Sequence, residues 1–322
     1  MKDLQDCRVL ITPNSYAKYN PKLKEELETQ VGEVLYNTTG KPLSSEQVAD
    51  LLPGVDGYIA GLDKIDQNAL NAADSLKIIV RYGVGLDNVD LSAAAEKGII
   101  VSNTPGANSA SVAELALGLM LMLARRIFVA KKAMQKGEWP RIPSLTLEDK
   151  IIGIIGLGAI GKQLAKRLAN FNCQILAYDP YADEDFAKKH NIDLVDLDAL
   201  ISHSDFISLH LPILPETRDM VDARFISAMK KGAFLINTSR GEIVDEQALI
   251  DGLKSGHIAG AALDAFAKEP PDIDNPLLAM DTVICTPHLG AQTDGAANTM
   301  GRMALDECLR VLKGEKPLFR VN

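Results

Sequence analysis

The sequence predicts an α/β protein built from two doubly wound parallel-sheet domains with a cleft between them. Three observations carry that expectation. Short apolar runs alternate with helical patterns along almost the whole chain, as in successive βαβ units. The length of 322 residues, at roughly 150 residues per domain, suggests two such units. One stretch, Ile151 to Pro180, has the full order of a dinucleotide-binding βαβ unit: an apolar run, Gly156-Leu157-Gly158-Ala159-Ile160-Gly161, a helical pattern, and a second apolar run ending in Asp179.

The elements follow in order. Cys7 to Ile11 reads as a strand that turns at Thr12-Pro13-Asn14, Pro21 to Gln30 as a polar helix with proline in its first turn, and Val31 to Tyr36 as a second strand. Ser44 and Ser45 start a helix that Pro53-Gly54 stops. Gly57 to Ala60, Leu76 to Arg81 and Ile99 to Ser102 are strands, separated by helices at Asn68 to Ala73 and Leu91 to Lys97. Asn103-Thr104-Pro105-Gly106 punctuates the pattern and marks the first boundary. Ser109 to Gly137 reads as one long helix, so apolar in its middle that it is buried on most sides. Beyond the glycine unit, strands are expected at Ile192 to Val195, Asp205 to Leu209, Ala233 to Ile236, Ile258 to Leu263 and Thr282 to Cys285. Helices are expected at Leu197 to His203 and Asp245 to Ser255, with helical or turn pieces at Thr217 to Met220 and Asp222 to Met229. A final helix, Ala296 to Leu312, has no strand of its own to serve, which suggests that it returns to the first domain.

In the glycine turn each glycine has a task. Gly156 permits a tight turn, Gly158 lets backbone approach a pyrophosphate, and Gly161 lets the helix pack closely on its strand. The phosphates are then expected at the helix N-terminus. Asp179 follows Gly161 by 18 residues, close to the spacing of about 20 at which an acid meets the ribose 2′-hydroxyl. A carboxylate there repels a 2′-phosphate, and Asp183, Glu184 and Asp185 add acid without an arginine. NAD is therefore expected rather than NADP.

The totals exclude other classes. A net charge of −9 argues against a nucleic-acid or anionic-membrane binder. Cys7, Cys173, Cys285 and Cys308 lie far apart, so neither a zinc site nor a disulfide framework is expected, and a reducing cytoplasm fits. The charged N-terminus does not read as a signal peptide, and no apolar run reaches the roughly 18 residues of a membrane span. No metal is expected, because no His/Cys/Asp cluster has ligand spacing.

Ligands of open α/β sheets bind outside the carboxyl ends of the strands. In the second domain those ends carry Arg240, Asp264, Glu269 and His288. His288 titrates near neutrality and suits a general acid/base. Glu269 can hydrogen-bond its second nitrogen and favour the imidazolium. Arg240 can clamp a carboxylate bidentately. Beside a nicotinamide, this set would exchange a hydride with a keto carbon while His288 handles the proton. Each residue alone is more often structural; the set carries the reading. His210, also at a strand end, reads as packing beside the cofactor. His190, His203 and His257 read as surface residues.

The chain resembles the D-isomer-specific 2-hydroxyacid dehydrogenases, especially their 3-phosphoglycerate dehydrogenase branch. The blocks that carry the resemblance are RYGVGLDNVDL (81–91), NTPGANSASVAEL (103–115), GIIGLGAIG (153–161), LHLPILPETRDMV (209–221), NTSRGEIVDEQAL (237–249), GAALDAFAKEPP (260–271) and TPHLGAQT (286–293). The resemblance implies catalytic roles for Arg240, Glu269 and His288. It implies cofactor contacts at Gly156, Gly158, Ala159, Ile160, Gly161, Asp179, Leu211, Pro212, Thr217, Thr238, Asp264, His288 and Gly290. It implies substrate contacts at Val84, Gly85, Asn108 and Arg240. It also implies a discontinuous substrate domain, 1–103 plus 290–322, an NAD-binding Rossmann domain at 104–289, and a homodimer formed through the latter.

The resemblance departs at two places. Phosphoglycerate dehydrogenases of this kind place a phosphate-binding arginine where this chain has Gly61, although Arg141 and Lys64 match or neighbour other basic positions. The regulatory domains of some phosphoglycerate dehydrogenases do not follow His288 here, so feedback by serine through them is not expected. The expected reaction interconverts a D-2-hydroxy acid and its 2-keto acid, D-3-phosphoglycerate being one substrate and hydroxypyruvate, glyoxylate or another small 2-keto acid the alternative. Two other functions use the same fold. Formate dehydrogenases resemble the family but carry an amide where Glu269 stands. Corepressors of the family bind NAD(H) and recruit partners.

Overall fold

The computed structural model describes residues 2–322 and divides the chain into two compact units, Met1–Asn108 with Ala291–Asn322, and Ser109–Gly290. In the first unit the elements run β1 (Arg8–Ile11), α1 (Lys22–Gln30), β2 (Glu33–Tyr36), α2 (Ser45–Leu51), β3 (Gly57–Ala60), α3 (Gln67–Asn71), β4 (Ile78–Arg81), α4 (Leu91–Glu96) and β5 (Ile100–Ser102). All five strands are parallel, in the order β2-β1-β3-β4-β5. Alternation along β4 shows why the sequence makes a two-faced sheet. Ile78 and Val80 enter one core with α1, while Ile79 enters the other, beside α2, α3 and α4. Burying each such side chain fully contributes about 1.5–3 kcal/mol. Ser44 begins α2 with a capping box completed by Gln47.

The second unit opens with α5 (Ser109–Ala124) and α6 (Ile127–Gln135). The expected single helix is therefore two. Arg126 adopts a left-handed φ of 50°, and the last turn of α5 is closed from outside: Leu145 N–H donates to the Ala124 carbonyl at 2.8 Å and Ser144 Oγ to that of Arg125 at 3.2 Å. A returning segment satisfies carbonyls that a longer helix would have used itself. Then follow β6 (Ile151–Ile155), α7 (Ala159–Leu168), β7 (Gln174–Tyr178), α8 (Glu184–Lys189), β8 (Ile192–Leu194), α9 (Leu197–His203) and β9 (Phe206–Leu209). They are succeeded by α10 (Ala223–Ala228), β10 (Phe234–Asn237), α11 (Glu246–Lys254), β11 (Gly260–Leu263), α12 (Pro276–Ala279) and β12 (Val283–Cys285). The sequence reading did not foresee α8 or α12. The acidic run that opens α8 is more than charge: Asp183 is an N-cap that accepts from Phe186 N–H at 3.0 Å.

The seven strands are all parallel, in the order β12-β11-β10-β9-β6-β7-β8. Winding reverses between β6 and β9, and a ligand crevice belongs at such a switch point. One face of the sheet packs α5 and α7 through Leu119, Met120, Leu164 and Leu168; the other packs α9, α10 and α11 through Leu200, Phe225 and Leu249.

The last helix, α13 (Asp294–Leu312), belongs to the first unit. It packs on the β3–β4 side of that sheet with Met300, Ala304 and Cys308 in the core. Its buried Glu307 accepts from Ser102 Oγ and from the amides of Leu318 and Phe319. The tail is thereby fixed along β5, where Val321 N–H reaches the Val101 carbonyl at 2.9 Å.

Candidate active site

Residues at the carboxyl ends of the second unit's strands build the site. At the end of β6 the glycine turn is fixed by sterics at two positions and left open at a third. Gly156 has φ +95°, and a Cβ there would overlap the His210 carbonyl. A Cβ on Gly161 would overlap the Gly156 carbonyl oxygen. A Cβ on Gly158 would meet nothing within 4 Å. Gly158 is also the N-cap of α7 and supplies no side-chain cap, so the amides that follow it, with Ala159 and Ile160 in the first turn, meet no side chain of their own cap.

Asp179 closes this corner. Its carboxylate accepts from Leu157 N–H and from Tyr181 N–H, each at 2.8 Å. It thus braces the glycine turn from the end of β7 and keeps a further lone pair on each oxygen. At the end of β9, Leu211 and Pro212 lie on a loop that Thr217 shapes. The Thr217 hydroxyl donates to the Pro212 carbonyl at 2.7 Å and accepts from Leu214 N–H at 2.8 Å. Burial holds His210 neutral by lowering its pKa to about 4. Its Nε2 meets Ser208 Oγ at 3.0 Å, while Nδ1 is buried without a partner among the described residues. Thr238, at the end of neighbouring β10, likewise has a buried hydroxyl without a partner.

Arg240 follows Thr238 in extended conformation, with φ −136° and ψ 139°. Its Nη1 donates to the Ser239 carbonyl at 2.8 Å. Asp264, at the end of β11, is 2% exposed. Its carboxylate faces the segment after β12, accepting from Thr286 Oγ1, from Leu289 N–H at 2.7 Å and from Gly290 N–H at 2.9 Å. This acid pins the histidine segment. His288 sits inside that segment at φ 51°, a left-handed conformation uncommon outside glycine. Its amide is held by the Asp264 and Thr286 carbonyls, each at 3.0 Å.

The His288 ring meets the Glu269 carboxylate through Nδ1, at 2.9 Å to Oε2 and 3.1 Å to Oε1. The Glu269 Oε1 also accepts from Phe266 N–H at 3.1 Å. The hydrogen bond from Glu269 raises the His288 pKa above its ordinary value; burial opposes this, the charges of Glu269 and Asp264 add to it, and Arg240 works against it. Burial pushes Glu269 upward, but the His288 hydrogen bond and charge, the Phe266 amide and Arg240 bring it below the ordinary carboxylate value. Arg240, Glu269 and His288 are thus one electrostatic set on three adjacent strand ends. Glu269 thereby fixes Nδ1 as the ring nitrogen that faces the carboxylate.

The first unit holds the other expected residues. Val84 and Gly85 lie on the loop after β4, where Gly83 takes φ +148°. Thr104 and Asn103 brace that loop through Gly83 N–H and the Val84 carbonyl. Arg81, which the sequence reading passed over, is 5% exposed and donates to the Gly85, Ala60 and Gly61 carbonyls. The signal was a lone arginine closing an apolar strand. Asn108, the last residue before the second unit, has a buried Oδ1 without a partner among the described residues.

A dinucleotide fits the second unit. Gly158 faces open space at the start of α7, Asp179 keeps lone pairs, and Thr238 Oγ1 and His210 Nδ1 are buried polar atoms awaiting partners. Among the described residues no group of three or more His, Cys, Asp or Glu could hold a metal ion.

Residues 117–290 match the family model described as the NAD-binding domain of D-isomer-specific 2-hydroxyacid dehydrogenases. The chain is 43% identical over 290 residues to a D-3-phosphoglycerate dehydrogenase of Methanocaldococcus jannaschii, covering 89% of this chain and 55% of that protein. It therefore spans about half the length of that relative. It is 39% identical over 306 residues to a hydroxypyruvate reductase of Thermotoga maritima, covering 92% of this chain and 99% of that protein. Among solved structures, D-lactate dehydrogenase of Aquifex aeolicus complexed with NAD and lactic acid matches at TM-score 0.83 and 29% identity, covering 95% of this chain and 96% of the other.

Proposed function

The chain belongs to the D-isomer-specific 2-hydroxyacid dehydrogenases, residues 117–290 being the NAD-binding domain of that family, and on that premise we propose that it interconverts a D-2-hydroxy acid and its 2-keto acid. The observation that carries this reading is the Glu269–His288 pair at 2.9 Å on the strand ends, with Arg240 close enough to act on both groups. NAD, when bound, supplies or accepts the hydride. Gly158, Ala159 and Ile160 hold its phosphates on a turn that Gly156 and Gly161 shape, Asp179 its ribose, and Leu211, Pro212, Thr217, Thr238, Asp264 and Gly290 line the remainder.

The chain's own residues do the rest. Arg240 binds the substrate carboxylate and polarises the keto group. In reduction, His288 gives the proton on Nε2 to the keto oxygen; in oxidation it takes that proton back. Glu269 keeps the ring in one tautomer and stabilises the imidazolium. Val84, Gly85 and Asn108 take part in substrate binding.

For the substituent beyond the keto carbon, one observation favours an unphosphorylated acid such as hydroxypyruvate or glyoxylate over phosphohydroxypyruvate. At the end of β3, Gly61 N–H donates to the buried Asp63, which also accepts from Leu43 N–H and from the Thr12 and Tyr58 hydroxyls. Gly61 supplies no cation to this turn, and the buried carboxylate beside it disfavours phosphate while the Arg81 guanidinium is turned to the Ala60 and Gly61 carbonyls.

NADH oxidation across a panel of 2-keto acids, with and without a phosphate group, tests both points. Higher kcat/KM for phosphohydroxypyruvate would reverse the substrate choice. NADH binding without turnover of any keto acid would replace the enzyme by an NAD(H)-binding module. Four free cysteines support a cytoplasmic setting. A homodimer through the second unit is supported by exposed Ile127, Met134, Trp139 and Leu145 on α6 and the loop after it. Sedimentation of the Trp139→Ser variant as a monomer is the expected result.

A further inference from the structure

We infer that Asn237 is a positioning residue for the carboxylate clamp: its buried carboxamide sets the place of Arg240. This rests on the reading of Arg240 as that clamp. Asn237 ends β10 with no exposure to solvent, and its side chain turns back onto its own strand end. Oδ1 accepts from Ser239 N–H at 3.0 Å and Ser239 Oγ at 2.7 Å, and Nδ2 donates to the Arg240 carbonyl at 2.7 Å. Its main-chain carbonyl accepts from Asp264 N–H at 2.9 Å, which ties the end of β10 to the end of β11.

Arg240 is consequently held at both ends by one tripeptide. Its carbonyl is fixed by Asn237, and its Nη1 by the carbonyl of Ser239, a residue that Asn237 also fixes. The next residue passes this placement on. A Cβ on Gly241 would overlap the Phe266 carbonyl carbon and the Ala267 nitrogen, so residue 241 lies flush against the loop whose Phe266 N–H orients Glu269. A misplaced clamp loses the two-bond geometry that favours a carboxylate.

Asn237→Asp tests this with little change of shape. The substitution keeps the acceptor for Ser239 but replaces the donor to the Arg240 carbonyl with a second acceptor. KM for the best keto acid should rise about tenfold or more, with NADH affinity, read by fluorescence, within about twofold. In an Arg240→Lys background the same substitution should add little, because the two act as one unit. Full additivity, or an equal loss of NADH affinity, would overturn the inference. If Arg240→Lys leaves KM unchanged, the clamp reading itself fails and this inference with it. If Arg240→Lys raises KM and Asn237→Asp does not, only the inference fails. Should Asn237→Asp not fold, Ser239→Ala removes one bond of the same cage. KM should then rise with NADH affinity kept, and an unchanged KM would overturn the proposal.

Discussion

The Glu269–His288 pair has a definite pH signature. The hydrogen bond and charge of Glu269 hold the His288 imidazolium above its ordinary pKa, against burial. Keto-acid reduction needs the imidazolium, so it is sustained below that raised pKa and lost as pH rises through it. Oxidation of the hydroxy acid needs the neutral ring and shows the opposite limb. Glu269→Gln removes the largest raising influence and leaves burial, which lowers the pKa. The alkaline limb of reduction should therefore move to lower pH in kcat/KM profiles, and an unmoved limb would detach Glu269 from the titration. His288→Ala should lower kcat by about 10²–10⁴ without weakening NADH binding; an unchanged kcat would remove it from the mechanism. Asp264 belongs to the same account. It holds the amides of Leu289 and Gly290, which keeps His288 in a backbone conformation that it would not adopt unaided.

At the scale of the element, the β6–α7 turn separates fold from binding. Gly161 lies against the Gly156 carbonyl, whereas Gly158 faces open space. Gly161→Ala should cost about 1–3 kcal/mol of stability through overpacking, seen as a lower Tm. Gly158→Ala should leave Tm nearly unchanged and raise the Kd for NADH, because the added methyl occupies the approach to the helix N-terminus. Equal effects of the two changes on Tm would contradict this division. The α5–α6 pair makes the complementary point. Apolar residues recur at helical spacing past Ala124, at Ile127 and Phe128, and the Ala124 carbonyl is met instead from a distant segment by Leu145 N–H. Hydrophobic pattern reports which face is buried; it holds no record of which distant amide will cap a carbonyl.

At the scale of the whole molecule, each unit repeats one solution: a parallel sheet that reverses its winding next to its first strand, with polar residues collected at the carboxyl ends. The second unit adds Asp179, the acid proposed to select the cofactor. Asp179 braces Leu157 and Tyr181 and still has lone pairs for ribose hydroxyls, while its charge opposes a 2′-phosphate. kcat/KM with NADH should exceed that with NADPH by about tenfold or more, given a like-charge contact worth over 1 kcal/mol; equality would sink the assignment. No described helix is long and apolar enough to cross a membrane.

Much of this was written in the order of residues alone. Alternating apolar and helical periods gave the two sheets, the spacing from Gly156 to Asp179 gave the dinucleotide unit, and polar residues at strand ends named Arg240, Glu269 and His288. These signals are local, because periodicity and turn chemistry depend on near neighbours in the chain. Hydrogen-bond direction is not local. That the Asp264 carboxylate meets Leu289 and Gly290, and that Arg81 is bound to backbone carbonyls rather than solvated, both depend on which strand end lies beside which. The registers of β3 with β4 and of β11 with β12 decide that, and only the folded chain fixes the register.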